Sequence, residues 1–113
     1  MNNLESASNP NTLAEDLAEL DLYIKMNVAR NPNTPIETLV ELSKDEDWVI
    51  RSNAASNVNT PSETLAELAK DEKLYIKINV ADNPNTPAET LAELAKDENW
   101  YVRSRAARNQ KMA

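Results

Sequence analysis

One seven-residue stretch recurs and leaves little freedom to the chain around it. It reads Asn31-Pro32-Asn33-Thr34-Pro35-Ile36-Glu37, and returns as Asn57-Val58-Asn59-Thr60-Pro61-Ser62-Glu63 and as Asn83-Pro84-Asn85-Thr86-Pro87-Ala88-Glu89. A worn copy, Asn9-Pro10-Asn11-Thr12-Leu13-Ala14-Glu15, stands near the start. Each copy predicts a helix stop followed by a helix start. A residue before proline is disfavoured in the α region, so Asn31 and Asn83 end the helices before them. The same restriction holds Thr34, Thr60 and Thr86 extended, the conformation of an N-cap residue. Proline then takes the first helical position, where its missing N–H costs nothing. Glu37, Glu63 and Glu89 follow three residues after their threonines and complete a capping box, a pattern that Thr12 and Glu15 repeat.

The copies are evenly spaced. Asn31, Asn57, Asn83 and Asn109 lie 26 residues apart, whereas Asn9 precedes Asn31 by only 22. The short first interval lacks a counterpart of Ala69-Lys70-Asp71-Glu72 and passes from Leu20 straight to Asp21-Leu22-Tyr23. Self-similarity at such a period predicts a solenoid, whose units cannot bury their faces alone. At 113 residues the chain fits one repeat domain. Its units are about 9–30, 31–56, 57–82 and 83–108, between an N-terminal extension (1–8) and a C-terminal tail (109–113).

Within a unit the spacing predicts helix, turn, helix. The first helix of the second unit spans about Pro35 to Lys44, with Ile36, Leu39, Val40 and Leu42 on its apolar face. Asp45-Glu46, Asp71-Glu72 and Asp97-Glu98 mark the turns. Second helices follow near Asp47–Ala55, Leu74–Ala81 and Trp100–Ala107, with Leu22–Ala29 in the first unit, each short enough for part of it to be 3₁₀. The units alternate in type. Leu22 to Ala29 matches Leu74 to Ala81, and Trp48 to Ala55 matches Trp100 to Ala107. Ser52 and Ala54 stand where Ile78 and Val80 stand, and Trp48 replaces Leu74, which predicts volume compensation in a shared core.

The Asn-Pro-Asn-Thr-Pro loop, the Glu-x-Leu-x-x-Leu helix, the Asp turn and the Val/Ile-Arg that follows resemble the variant leucine-rich repeat. This bacterial family is related to HEAT and armadillo arrays, and the resemblance runs from Asn9 to Asn109. It implies an all-α fold, a right-handed solenoid of paired short helices without a sheet, some members alternating α with 3₁₀. Units of 26 residues exceed the length expected of the family, which favours a fully α second helix. The cysteine cluster that accompanies some members has no counterpart here, so no redox role carries over.

Composition removes whole classes of chemistry. With no cysteine, histidine or glycine, this chain alone cannot supply a disulfide, a Cys–His metal site, a Ser–His–Asp triad or a glycine-rich phosphate loop. No catalytic residues, cofactor or metal are expected; Glu41, Glu67 and Glu93 recur one unit apart and do not converge. Nineteen acidic against 12 basic residues give a net charge of −7. That balance disfavours nucleic acid and anionic membrane and points to basic partners. No apolar run approaches the roughly 20 residues of a membrane span, and no signal sequence opens the chain, so a cytoplasmic protein is expected.

Three constellations remain. Lys25, Arg51, Lys77 and Arg103 are equivalent and lie within an apolar arc of the second helix, so each needs an anionic partner or a route to water. Asp45, Asp71 and Asp97 are the candidates, bridging inside or between units as in the Asp–Arg ladder of HEAT-type arrays, with Asp21 as substitute in the first unit. On the opposite face Tyr23, Val49, Tyr75 and Tyr101 are equivalent, and Asn27, Asn53, Asn79 and Arg105 follow four residues on. Stacked units would align these into a stripe suited to an extended peptide, as in armadillo arrays. The competing reading has the tyrosines packed sideways on neighbouring units and the asparagines solvated. The loop asparagines Asn31, Asn33, Asn57, Asn59, Asn83, Asn85 and Asn109 read as structural, since asparagine bonds nearby backbone in turns.

The expectation is a non-enzymatic scaffold that binds a protein or extended peptide through its second helices. The alternative is a self-associating array segment, with apolar surface near Leu91, Trp100 and Val102 uncapped and open to homo-oligomer formation. A HEAT-like enzyme stands furthest from the composition.

Overall fold

In a computed structural model, residues 10–112 are described, with side chains from residue 19 onward. They form seven α-helices and, among the described residues, no strand. In chain order these are α1 (Pro10–Arg30), α2 (Ile36–Leu42), α3 (Trp48–Ser56), α4 (Ser62–Leu68), α5 (Leu74–Asp82), α6 (Ala88–Leu94) and α7 (Trp100–Met112). The second helices α3, α5 and α7 are α throughout, the alternative that the 26-residue unit favoured over a part-3₁₀ helix.

The first segment departs from helix–turn–helix. α1 is one helix of 21 residues. Deletion of the Ala-Lys-Asp-Glu counterpart removes the turn that separates α2 from α3, and nothing between Leu17 and Leu22 stops the helix. Thr12 therefore lies inside a helix rather than at its cap, and the side chains of Thr12 and Glu15 lie outside the described residues.

At each Asn-x-Asn-Thr loop the chain makes a β-turn, closed by Thr34 N–H to Asn31 C=O at 3.1 Å and repeated from Thr60 to Asn57 and from Thr86 to Asn83. The asparagine side chain accepts from the residue two on: Asn31 Oδ1 from Asn33 N–H at 2.8 Å, with the same bond at Asn57 and Asn83. The threonines are not caps. Pro35, Pro61 and Pro87 hold the N-cap position, extended, and no side chain caps α2, α4 or α6. The threonine hydroxyls point backwards instead. Thr34 donates to Val28 C=O, Thr60 to Ala54 C=O and Thr86 to Val80 C=O, satisfying carbonyls in the last turn of the preceding helix. Glu37, Glu63 and Glu89 sit in the first turn, where they complement the helix dipole without closing a capping box.

The second helices form a row. α1 packs on α3, α3 on α5 and α5 on α7, while α2, α4 and α6 lie against their sequence neighbours. The described residues extend over 55 × 29 × 21 Å. Leu39, Ile50, Leu65, Ile76, Val80 and Val102 are fully buried between the helices. The alanines Ala29, Ala55 and Ala81 are equally buried and permit close helix approach. Ile36 does not join them. It is 55% exposed at the head of α2, where the equivalent positions are Ser62 and Ala88.

Trp48, in the place of Leu74, is half-buried and packs against the core, as does Ile78, whereas Leu74 itself is exposed. Ser52 is small because its hydroxyl and carbonyl receive an amide from the next helix. No helix among the described residues is long and apolar enough to cross a membrane.

Candidate functional site

The surface of α1, α3, α5 and α7 carries all three constellations. The turn aspartates organise its first edge. Each bonds a backbone N–H two residues on, Asp71 Oδ1 from Lys73 at 3.1 Å and Asp97 Oδ2 from Asn99 at 3.0 Å, which starts the second helix. The other carboxylate oxygen is left to a cation from the preceding segment. Lys25 Nζ lies 3.3 Å from Asp45, Arg51 Nε 2.8 Å from Asp71 and Lys77 Nζ 3.0 Å from Asp97. Each of these three bridges runs between segments, from a cation forward to the next turn. Asp71 belongs to Arg51 and not to Lys77.

The arginines also tie their own turn. Arg51 Nη1 donates to Asp45 and Glu46 carbonyls, and Arg103 Nη1 to those of Asp97 and Glu98. Lys25 keeps the expected contact with Asp21 as well, at 3.5 Å. Burial pushes the Asp71 carboxyl up. Hydrogen bonds from Arg51 and the Lys73 N–H, with the Arg51 charge, more than offset this and hold it below the usual carboxylate value. Burial likewise opposes ionisation of Asp97, and the Asn99 N–H with the Lys77 ammonium prevails. Lys25 is raised, first by its hydrogen bond to Asp45, then by the charges of Asp45 and Asp21.

A second row, of asparagines, runs along the loops. Asn57 Nδ2 donates to Ala29 C=O at 2.8 Å and Asn31 C=O at 3.1 Å. Asn83 reaches Ala55 and Asn57 in the same way, and Asn109, which lies within α7 and not at a helix end or in a tail as expected, reaches Ala81 and Asn83. Asn59 and Asn85 add bonds to the Pro32 and Thr60 carbonyls. These amides satisfy carbonyls that the helix ends leave orphaned, across the joint between neighbouring segments.

The tyrosine face mixes both readings made of it. Tyr23 and Tyr75 are 62% and 64% exposed, and Tyr101 is exposed on α7. Tyr75 nevertheless packs sideways, its ring stacked on Trp48 of the previous helix at 5.9 Å between centroids and 13° between planes. Trp48 thus touches both the core and this ring, a pairing that the sequence does not single out. The indole's place at the outer edge of the helix row could have been read from its recurrence beside the acidic turn. Asn79 is not a free amide either, for it donates to Ser52 C=O at 2.9 Å and Ser52 Oγ at 2.8 Å.

Asn27 is exposed and accepts from Arg30. Val49 is half-buried on α3. Asn53 Nδ2 is buried with no partner; the counterpart of Ser52 one segment earlier is Met26, which has no hydroxyl. Arg105 lies 4.9 Å over the Tyr101 ring and donates to the Tyr101 hydroxyl and to Asp82. The Tyr101 hydroxyl bond, then the Asp82 charge, hold its guanidinium above the ordinary value.

The concavities of this surface are grooves rather than chambers. That between α2 and α4, about 390 Å³, is lined by the apolar Val40 and Leu68 together with Ser43, Lys44, Glu63, Thr64, Glu67 and Asp71. Among the described residues no group of three or more carboxylates is placed to hold a metal ion.

Fold and surface together define an all-helical chain whose second helices are fastened edge to edge by amide and ion-pair bonds and present exposed aromatic rings. Compared with protein-family models, with curated proteins and with solved structures, the chain matches none.

Proposed function

We propose that the chain is a non-enzymatic binding module, an α-solenoid of the variant leucine-rich-repeat kind, which captures an extended basic segment of a partner protein along its second helices. The observation that carries this reading is the set of exposed rings on three of the four helices in the row, Tyr23 on α1, Tyr75 on α5 and Tyr101 on α7, with Val49 in the equivalent place on α3. Each ring follows closely on an exposed carboxylate: Asp21, Glu72 and Glu98 respectively. Rings give contact area at little entropic cost and attract a guanidinium or ammonium over their faces. Cations already sit on this surface, Lys73 over Trp48 at 5.5 Å and Arg105 over Tyr101. The net charge of −7 favours a cationic ligand over an acidic one. Recurring bonds between segments fix the spacing of the rings, so an extended strand can meet them in register.

The test is fluorescence anisotropy with two labelled peptides, one alternating arginine and serine, the other glutamate and serine. The arginine peptide is expected to bind, less tightly as salt is added, and Tyr75→Ala and Tyr101→Ala each to weaken it while helicity is retained. Equal binding of both peptides, binding of neither, or variants that bind like the parent would reject the reading.

A further inference from the structure

Two side-chain contacts join α3 to α5: Trp48 stacks with Tyr75, and the Asn79 amide donates to the carbonyl and hydroxyl of Ser52. The same four residue types recur at opposite ends of the described structure. Trp100 and Ser104 on α7 stand 52 residues after Trp48 and Ser52, and Tyr23 and Asn27 on α1 stand 52 before Tyr75 and Asn79. All four are exposed, Trp100 at 66%.

Burial at the two ends follows the same logic. Ile24 is 50% exposed, although its counterparts Ile50, Ile76 and Val102 are fully buried. With Leu20 and Tyr23 it makes an apolar stripe at helical spacing on α1. At the other end Ala107 is exposed, while Ala29, Ala55 and Ala81 are buried. α1 therefore presents the face that α3 and α5 bury against the helix before them, and α7 presents the face that they bury against the helix after.

Charge matches too. α7 carries Arg103, Arg105, Arg108 and Lys111 and no acid, whereas α1 carries no cation before Lys25 and exposes Glu19 and Asp21. Arg103 has no carboxylate partner among the described residues, though its counterpart Arg51 reaches Asp71; α1 lacks a counterpart of Asp71 and offers the exposed Glu19 in its place.

We propose that the outer face of α7 docks α1 of a second copy of this chain head to tail, Trp100 stacking on Tyr23 of the second copy and Ser104 accepting the amide of Asn27 of the second copy. The occupant is this chain rather than a foreign partner because the complement of each exposed residue is found on its own opposite end, at the spacing already used between α3 and α5. Such an interface is heterologous, so copies add in a row instead of closing as a face-to-face pair. This goes beyond peptide capture, which shares Tyr23, and is told apart from it at Trp100 and by the readout: self-association of the chain alone instead of binding of a labelled peptide.

Sedimentation velocity of the full chain over a concentration series is the test. The weight-average mass should rise above the monomer value of 12.6 kDa. Tyr23→Ala and Trp100→Ala should each weaken association roughly tenfold or more, with unchanged circular dichroism. An equimolar mixture of the two variants should regain association but stop at the dimer, since one competent pair of faces remains. Glu19→Lys and Arg103→Glu, each weak alone and restored on mixing, provide the same check where a truncated ring disturbs folding. A parent chain that stays monomeric at every concentration overturns the proposal. So does either single variant that associates like the parent, or a mixture that regains nothing.

Discussion

Arg51 Nε donates to Asp71 Oδ2 at 2.8 Å, joining α3 to the turn that opens α5. Both side chains are four-fifths buried, so the pair is not a surface bridge of negligible worth. Asp71→Ala leaves the Arg51 guanidinium with only the Asp45 and Glu46 carbonyls and is expected to cost about 2–3 kcal/mol in urea unfolding. A double-mutant cycle separates the partners: coupling of Asp71 to Arg51 should reach about 1 kcal/mol or more, and to Lys77 should be near zero.

The same pair fixes a pH dependence. The folded Asp71 carboxyl lies below its ordinary value of 3.8, so its contribution is complete above that value and is lost as pH falls through the folded one. Asp97 behaves alike through Lys77 and the Asn99 N–H. The difference in melting temperature between the parent and Asp71→Asn should therefore be constant from neutrality to about pH 5 and shrink below 3.8. A difference that widens in acid would contradict the assignment.

Thr60 and Glu63 distinguish an anchor from a capping box. Thr60 is fully buried and its hydroxyl holds Ala54 C=O at 2.6 Å, so Thr60→Val should cost about 1–2 kcal/mol and Thr60→Ser much less. Glu63→Ala removes only a charge near the helix dipole and should cost under about 0.5 kcal/mol. Thermal melts of the three variants give the comparison.

Replacement of Asn53 is expected to help. Its buried Nδ2 lacks a partner, so an apolar side chain of similar size relieves a desolvation cost. Asn53→Leu is expected to stabilise the chain by about 1 kcal/mol, and a lowered midpoint would show that the amide is satisfied after all.

The sequence made the helices legible because proline, asparagine and the leucine period act locally. It located the cation–aspartate edge but left open whether bridges lay inside or between segments, since both partners recur at one period and only the tilt of the helix decides. The capping box failed for a physical reason. Proline and not threonine takes the N-cap position, which leaves the threonine one residue before the cap, and the Thr60 hydroxyl donates back to the orphaned Ala54 carbonyl. The fused α1 was visible as a missing Ala-Lys-Asp-Glu, yet its consequence depends on whether a turn survives without its aspartate. The uncapped end was placed partly wrong. Leu91 and Val102 are buried by α6 and α7 themselves, and Trp100 alone of the three is exposed. Tyr75 and Asn79, read as a free pair, both bond the preceding helix, so their joint replacement would cost stability as well as any binding.

The central claim is that neighbouring segments are fastened by asparagine amides reaching back across the joint. Equilibrium urea unfolding of Asn83→Ala tests it most directly, because this buried side chain donates to Ala55 and Asn57 and accepts from Asn85. A loss of about 3 kcal/mol with an unchanged slope is the expected result, near the sum of three bonds and the carbonyls left bare. An unfolding midpoint indistinguishable from the parent would contradict it.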